Sequence, residues 1–238
     1  MTLEILFFAS YREQVGQSRV TLELPEDATV RGAAQQLEAD YPELRLKGAL
    51  AAVNETYALA DESLKAGDTL AFFPPVAGGS GAAGHDNPDD SNNPEDHFFV
   101  TEADLDLSRY VSLASDPKFG AVATFSGTVR SPNAGQDVRY IDYQGYETMI
   151  LGQMKRAATE LREHSELGRI VFAHRLGRLD AGEASIVIVV SSAHRKDALL
   201  AVHAAIDRLK EILPVWKLEV TSEGQHWVEG SSAASEPL

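Results

Sequence analysis

The sequence predicts an α+β protein of two domains joined by a linker, on three observations. Strand and helix patterns are mixed in both parts of the 238-residue chain. Hydrophobic residues make up 44% of the chain, which is enough for a core in each part. A stretch of Gly, Ala, Ser, Asp, Asn and Pro after residue 79 separates the two parts. We therefore expect domains at residues 1–79 and 97–230, a flexible acidic linker at 80–96 and a disordered tail at 231–238.

The first domain has the element order of a ubiquitin-like β-grasp fold. Alternating apolar residues predict strands over residues 2–7 and 20–24. Thr29 is expected to cap a helix that Pro42 ends, and two more strands follow at 50–53 and 69–73. The last strand runs directly into Gly78 and Gly79. Because glycine adopts almost any backbone angle, this pair can thread a narrow channel, although it can equally begin a flexible linker.

The second domain continues the mixture of strands and helices. A buried strand is expected to end at Arg130 and to be followed by a loop of turn-forming residues, 131–135. The longest helix is predicted to be capped by Ser192, to bury an apolar face that includes Leu199, and to end at Pro214. Predicted strands cover 98–100, 120–130, 138–143, 169–176, 184–191, 215–221 and 226–228, and predicted helices cover 104–113, 147–164 and the segment after Ser192.

Composition and charge exclude several classes of function. The formal net charge is −15, so the chain repels nucleic-acid phosphates at long range, and we expect no nucleic-acid partner. A local basic pocket for one small anion remains compatible with that balance. No apolar run is long enough to span a bilayer, and the first residues lack a signal-peptide pattern, so we expect a cytoplasmic protein that does not bind membranes.

The chain contains no cysteine and seven histidines. It therefore has no disulfide, no thiolate nucleophile and no cysteine-bound metal. The histidines are scattered and form neither an H-x-H nor an H-E-x-x-H pattern, so we expect no protein metal site. Any sulfur that the protein handles must be carried by another group.

Basic residues mark the ends of the predicted elements in the second domain. Each one alone is better explained as a solvated surface charge, but together they indicate an anion site, particularly at the start of the long helix. Because sixteen positions on one helix span about 24 Å, a small ligand cannot contact both His194 and Lys210 of one chain. We therefore expect a homodimer with pockets shared between protomers. The residues are Arg130, His194, Arg195, Lys210 and Lys217.

The first domain resembles the small, sulfur-carrying subunit of molybdopterin synthase. The resemblance rests on the segments 6–9 (LFFA), 51–54 (AAVN) and 72–79 (FFPPVAGG). It implies that an activating enzyme adenylates a terminal glycine carboxylate and converts it to a thiocarboxylate that donates sulfur. In this chain Gly79 is followed by Ser80, and a peptide carbonyl has no free carboxylate to adenylate.

The second domain resembles the large, catalytic subunit of the same enzyme family. The segments are 125–130 (FSGTVR), 174–177 (HRLG), 191–195 (SSAHR) and 214–219 (PVWKLE). The resemblance implies an α/β hammerhead-type domain and a substrate-binding role for the five basic residues. It also implies catalytic roles for Lys210 and Lys217. The family commonly has Lys where this chain has Thr128, so no charged contact is expected there.

The implied reaction converts cyclic pyranopterin monophosphate to molybdopterin by inserting two sulfurs from Gly79, with no tightly bound cofactor. We hypothesise that Lys210 sits in a partly apolar pocket, loses some basicity and takes part in proton transfer. Three arrangements fit the fused chain. A processing protease can release a free Gly79 carboxylate. Alternatively, the uncut first domain is only a binding or assembly module, and sulfur comes from another carrier. In the third arrangement, the released domain supplies sulfur to thiamin or tRNA thiolation.

Overall fold

A computed structural model describes residues 1–75, 93, 95–133 and 135–228, which belong to two compact units along the chain. The first unit is described over residues 1–75, and the second over 93–228 apart from positions 94 and 134. Gly78 and Gly79, most of the predicted linker and the tail at 231–238 lie outside the described residues. The domain boundaries drawn from the sequence therefore stay a prediction.

The first unit has the predicted β-grasp arrangement. Its sheet has the order β2-β1-β5-β3-β4, in which β1 and β5 pair in parallel at the centre and the other pairs are antiparallel. The elements are β1 (Thr2–Phe7), α1 (Ala9–Val15), β2 (Arg19–Glu23), α2 (Val30–Asp40), β3 (Leu50–Val53), β4 (Thr56–Ala58) and β5 (Thr69–Phe73).

Local sequence signals explain why these elements form. Leu3, Ile5 and Phe7 alternate along β1 and are each at most 1% exposed, so one face of the strand enters the core. Thr29 caps α2 as predicted, because its hydroxyl accepts a hydrogen bond from the Gly32 amide at 3.3 Å. Neither α1 nor β4 was predicted, because both are short and place few residues in the core.

The second unit contains two four-stranded sheets and three helices within its described residues. One sheet has the order β10-β8-β12-β13, and the other has the order β6-β9-β11-β7. The α+β class is therefore confirmed. The elements are β6 (His97–Thr101), α3 (Leu107–Ala114), β7 (Ala121–Thr128), β8 (Val138–Gly145), α4 (Glu147–Arg162), β9 (Leu167–Arg175), β10 (Gly177–Asp180), β11 (Ala184–Ser192), α5 (Arg195–Ile212), β12 (Val215–Thr221) and β13 (Gln225–Val228).

The core of the second unit lies between the sheets and the two long helices. Strands β9 and β11 pair in the middle of their sheet, and Ile170, Phe172, Ile188 and Val190 are fully buried there. Leu209 on α5 joins the same cluster. Burial of this many apolar side chains stabilises the strand ends on which the charged residues stand.

An ion pair fixes the residue that precedes β6. The Asp96 carboxylate is 1% exposed and accepts hydrogen bonds from two nitrogens of Arg162, at 2.6 and 3.3 Å. The amide of Ile170 donates a further bond at 2.8 Å. Arg162 also donates to the carbonyls of Leu167 and Gly168 at 2.8 and 2.6 Å, so one guanidinium ties Asp96 to the start of β9.

Two predictions about strand and helix ends are wrong. The strand predicted to be buried as far as Arg130 ends at Thr128, and alternate residues of β7 are exposed because β7 is an edge strand with β11 as its neighbour. Ser192 does not cap α5. It is the last residue of β11, is 1% exposed, and donates its hydroxyl to the Glu166 carbonyl at 3.2 Å. The N-cap of α5 is His194.

The predicted apolar face of α5 is wrong at one position. Val202, Ala205, Ile206 and Leu209 are buried as expected, but Leu199 is 61% exposed. The pattern misleads because Leu199 stands in the second turn, where Ala198, Ala201 and Val202 already fill the contact with the sheet.

Candidate active site

The lysines of the predicted site meet at one end of the second unit. Lys217 stands near the start of β12, where it pairs with Tyr143 on β8 and Val228 on β13. It is half-buried, and burial together with the nearby charge of Lys210 lowers its pKa. A lysine whose pKa is lowered is uncharged for a larger fraction of the time, and the uncharged amine is the form that can accept a proton.

Lys210 lies in the last turn of α5 and is exposed. The partly apolar pocket expected around it is therefore absent from the described part of this chain, and Lys217 occupies the less polar position instead. The reason is geometric. A side chain that projects from a helix end reaches solvent, whereas a side chain on the central strand β12 is flanked by two neighbouring strands. Lys210 contributes a positive charge beside Lys217.

A buried histidine lies behind the lysines. His174 is on β9, is 6% exposed, and its Nδ1 lies 2.9 Å from the Arg175 carbonyl, so Nδ1 carries the hydrogen and donates it. Burial, with a smaller contribution from the charge of Lys217, lowers the pKa of His174 to about 4. The imidazole is therefore neutral at pH 7 and adds no positive charge beside Lys217.

Tyr143 connects the two sheets at this point. Its ring meets the ring of His174 edge to face, with centroids 5.7 Å apart. Its hydroxyl shares a hydrogen bond with Ser185 on β11, and burial raises the pKa of Tyr143. Ser185 in turn donates to the Gly127 carbonyl on β7 at 3.3 Å. The floor beneath Lys217 is thus a packed set of polar side chains with fixed orientations.

Arg130 is linked to the same region through two further residues. It follows β7, is exposed, and donates to the Asn133 side-chain oxygen at 3.3 Å. The Asn133 side-chain nitrogen donates to the Glu219 carboxylate at 2.9 Å, and Glu219 is 2% exposed. Glu219 is two residues after Lys217 on β12, so the two side chains point to the same face of the sheet.

His194 and Arg195 lie far from this group. They stand at the start of α5 and are exposed, whereas Lys210 is in its last turn. The sheet register leads to the same conclusion, because Ser192 pairs with Ala121 at the start of β7 and Arg130 follows the other end of that eight-residue strand, about 25 Å away. The structure therefore places Lys210 beside Lys217 and links Arg130, through Asn133, to Glu219 on the strand that carries Lys217. His194 and Arg195 lie at the opposite end of α5 from Lys210.

Sequence reasoning missed the residues that support the lysines. A polar residue within an apolar strand was the available signal for His174, and an acidic residue at an inward-facing position of β12 was the signal for Glu219. Asn133 and Tyr143 had no such signal, because their partners are distant in the sequence. Among the described residues there is no cluster of three or more metal-binding side chains, and no helix there is long and apolar enough to cross a bilayer.

Comparison with known proteins identifies relatives of both units. The profile of the MoaE protein family matches residues 100–212, and that of the ThiS family matches residues 5–79. The molybdopterin synthase catalytic subunit of Bacillus subtilis is 35% identical over 133 residues, which are 56% of this chain and 85% of the relative. The catalytic subunit of Arabidopsis thaliana is 40% identical over 127 residues, which are 53% of this chain and 64% of the relative.

A solved structure agrees with the sequence relatives. Molybdopterin synthase from Staphylococcus aureus superposes with a TM-score of 0.52 at 31% identity, covering 54% of this chain and 94% of the matched chain. The MoaE protein from Burkholderia ambifaria gives a TM-score of 0.50 at 29% identity, covering 58% and 92%. In both cases the covered share of this chain is about as large as the second unit by itself.

Proposed function

The chain belongs to the family of molybdopterin synthase catalytic subunits, with a ThiS-family sulfur-carrier domain fused ahead of the MoaE domain, and on this premise we propose that it makes molybdopterin from cyclic pyranopterin monophosphate with sulfur carried on Gly79. The observation that carries the proposal is that one polypeptide contains both partners of the reaction. The ThiS match ends at residue 79, and the MoaE match begins at residue 100. Gly78 and Gly79 are thus positioned in the sequence as the end of the carrier domain.

Lys210 and Lys217 have different roles in the proposed sulfur transfer. In each transfer the thiocarboxylate sulfur forms a bond to a carbon of the substrate and displaces an oxygen substituent of that carbon. Water then cleaves the bond between the sulfur and the glycine carbonyl, which leaves the sulfur on the substrate and Gly79 as an ordinary carboxylate. Lys217, whose pKa is lowered by burial and by Lys210, accepts or returns the proton. Lys210 holds negative charge that develops at the glycine carbonyl, because preorganised cations stabilise such charge without rearrangement.

Arg130 binds the phosphate of the substrate in this proposal. A planar guanidinium donates paired hydrogen bonds to phosphate oxygens, and Arg130 is exposed at the same end as the lysines. His194 and Arg195 complete a pocket of the partner protomer, since they lie at the opposite end of α5 from Lys210. The substrate site then requires a homodimer through the second unit, with two composite pockets.

The fused chain requires a processing step before sulfur can be loaded. We propose that a protease cuts after Gly79 and that an activating enzyme then adenylates and sulfurates the new carboxylate. The test is the intact mass of the protein purified from its native cell. We expect a fragment that ends at Gly79, part of it heavier by the difference between sulfur and oxygen. Full-length, unmodified protein that makes molybdopterin without added factors would falsify the proposal.

Ser80 favours a second candidate, in which the first unit is never cut and serves only to bind or assemble the complex. In that case sulfur comes from a separate carrier protein. The double variant Gly78→Ala, Gly79→Ala distinguishes the candidates when a free thiocarboxylated carrier is supplied or withheld. Full activity of this variant with the free carrier, combined with no activity of the unmodified chain in its absence, supports the second candidate.

A further inference from the structure

Asn133 joins two charged residues that are far apart in the sequence. Its side-chain oxygen accepts from Arg130 at 3.3 Å, and its side-chain nitrogen donates to Glu219, 86 residues away, at 2.9 Å. Both ends of one amide group are therefore in use. An ionised carboxylate only accepts hydrogen bonds and a guanidinium only donates them, so exchanging the amide oxygen and nitrogen would break both contacts.

Of the two contacts of the Asn133 amide, the one with Glu219 is the more buried. Glu219 is 2% exposed, Asn133 is half-buried and Arg130 is exposed. A buried carboxylate needs a donor, and the hydrogen bond that it receives is strengthened by its charge. The orientation of the Asn133 amide is thus set from the interior of the sheet, and its oxygen is presented to Arg130.

The backbone of the loop keeps Asn133 in place. Asn133 and Gln136 exchange two backbone hydrogen bonds at 3.0 and 2.9 Å, and the Ser131 hydroxyl accepts from the Val138 amide at 3.1 Å. The Gln136 side chain donates to Glu223 at 3.3 Å. Asn133 and Gln136 therefore make the same kind of amide-to-carboxylate contact from one loop, but only Asn133 also contacts Arg130.

We propose that Asn133 is a positioning residue that directs the Arg130 guanidinium toward the phosphate of the substrate, using the buried Glu219 carboxylate as its anchor. The inference rests on the proposed function, which assigns the phosphate to Arg130. One Arg130 nitrogen is held by Asn133, and the other donors of the guanidinium have no partner among the described residues, so they are available to an anion. Because Glu219 and Lys217 share β12, the strand sets the distance between the phosphate and the proton-accepting lysine.

Equilibrium binding tests this inference without depending on sulfur delivery. The dissociation constant of the full-length chain is measured by titration calorimetry for cyclic pyranopterin monophosphate and for the same pterin without its phosphate. We expect Arg130→Ala and Asn133→Ala each to weaken binding of the phosphorylated compound, by about 30-fold and about tenfold, as hydrogen bonds to charged groups typically do. Neither variant should change binding of the phosphate-free compound.

Two comparisons separate positioning from a general need for an ordered loop. Asn133→Asp preserves size but puts a carboxylate against Glu219 and pairs it with Arg130, so we expect it to weaken binding more than Asn133→Ala. A loop that needed only a side chain of that shape would tolerate Asp better than Ala. Gln136→Ala is the matched control, and it should stay within about twofold of the unchanged protein because it does not contact Arg130. Thermal unfolding of each variant checks that the fold is retained.

The double variant Arg130→Ala, Asn133→Ala decides the outcome. If Asn133 acts through Arg130, the double variant binds no more weakly than Arg130→Ala alone, because coupled residues are not additive. Independent, additive losses overturn the inference while leaving Arg130 as the phosphate ligand. An unchanged dissociation constant for Arg130→Ala overturns the inference together with the phosphate assignment in the proposed function, so the two failures are distinguishable.

Discussion

The two ends of helix α5 carry basic residues in contrasting surroundings. At its C-terminal end, Lys210 lies beside Lys217, which is half-buried and rests on His174 and Tyr143. At its N-terminal end, His194 and Arg195 are exposed, and no side-chain hydrogen bond or ion pair of either residue occurs within the described ranges. In the proposed composite pocket, the supported lysine end of one chain meets the exposed His194 and Arg195 end of the partner.

The largest expected effect is the loss of the supported lysine. We expect Lys217→Ala to lower turnover by about 1,000-fold, in the range seen when a proton-transfer group is removed. Turnover is measured with a thiocarboxylated carrier and saturating substrate. Lys155→Ala is the matched control, since Lys155 is exposed on α4 and is not among the residues of the proposed site, so its loss should leave turnover unchanged. Near-normal turnover of Lys217→Ala would remove Lys217 from the proposed role.

Mixed dimers test whether the exposed end belongs to the partner's pocket. Lys217→Ala and His194→Ala chains are each expected to be impaired, but in a dimer of one with the other, one pocket contains both unchanged residues. Unfolding and refolding the two variants together should restore about one quarter of the unchanged activity, because about half of the dimers are mixed and half of their pockets are intact. No recovery in a mixture that light scattering shows to be dimeric would place both residues in one chain's site.

A smaller effect is expected on the pH dependence. Lys210 lowers the pKa of Lys217 because two like charges repel, so Lys210→Met should raise the pKa of Lys217. If the uncharged amine of Lys217 is the active form, the rise of activity with pH moves to higher pH in this variant. A displacement toward lower pH, or an unchanged profile with normal turnover, would contradict the coupling between the two lysines.

The smallest effect on turnover at neutral pH is expected from the histidine behind the lysines, which should instead control stability in acid. His174 is neutral in both states above its ordinary value of 6.5, and its pKa falls to about 4 in the folded protein. As the pH drops between these values, His174 binds a proton in the unfolded chain but not in the folded chain. The free energy of unfolding therefore decreases, by at most about 3 kcal/mol. Urea unfolding at several pH values should show a shallower decline for His174→Gln.

His203→Gln is the control for that measurement, since the His203 side chain is 76% exposed and its replacement should leave the decline unchanged. A steep decline that persists in His174→Gln would mean that other groups cause it, and that the packing of His174 under Lys217 does not keep the imidazole neutral.

Local signals in the sequence were enough to place most elements, and to place Lys210 in the last turn of the long helix and Lys217 just after it. Thr29 and Pro42 bracket α2, and the 214–219 segment puts Lys217 on a strand just after α5. The failures share a cause. Serine is a common N-cap residue, but the backbone of Ser192 pairs with Ala121 and Leu167 as part of β11. Whether such a residue ends a strand or caps a helix depends on this tertiary pairing.

The supporting contacts of the site could not be predicted for the same reason. Asn133 and Glu219 are 86 residues apart, and His174 and Tyr143 meet through the packing of two different sheets. Neither contact follows a helical or strand period. Lys217 is more buried than Lys210 because β12 lies between β8 and β13, and this strand order cannot be read from the sequence.

The contacts of Asp96 hold the start of β6 in place within the second unit. Both donors to its carboxylate, the Arg162 guanidinium and the Ile170 amide, belong to that unit, as does β9, with which β6 pairs. A gene encoding this protein can therefore deliver carrier and catalyst in equal numbers from one message. In the proposed processing, a cut after Gly79 leaves these contacts of Asp96 intact, because all of them lie beyond the cut.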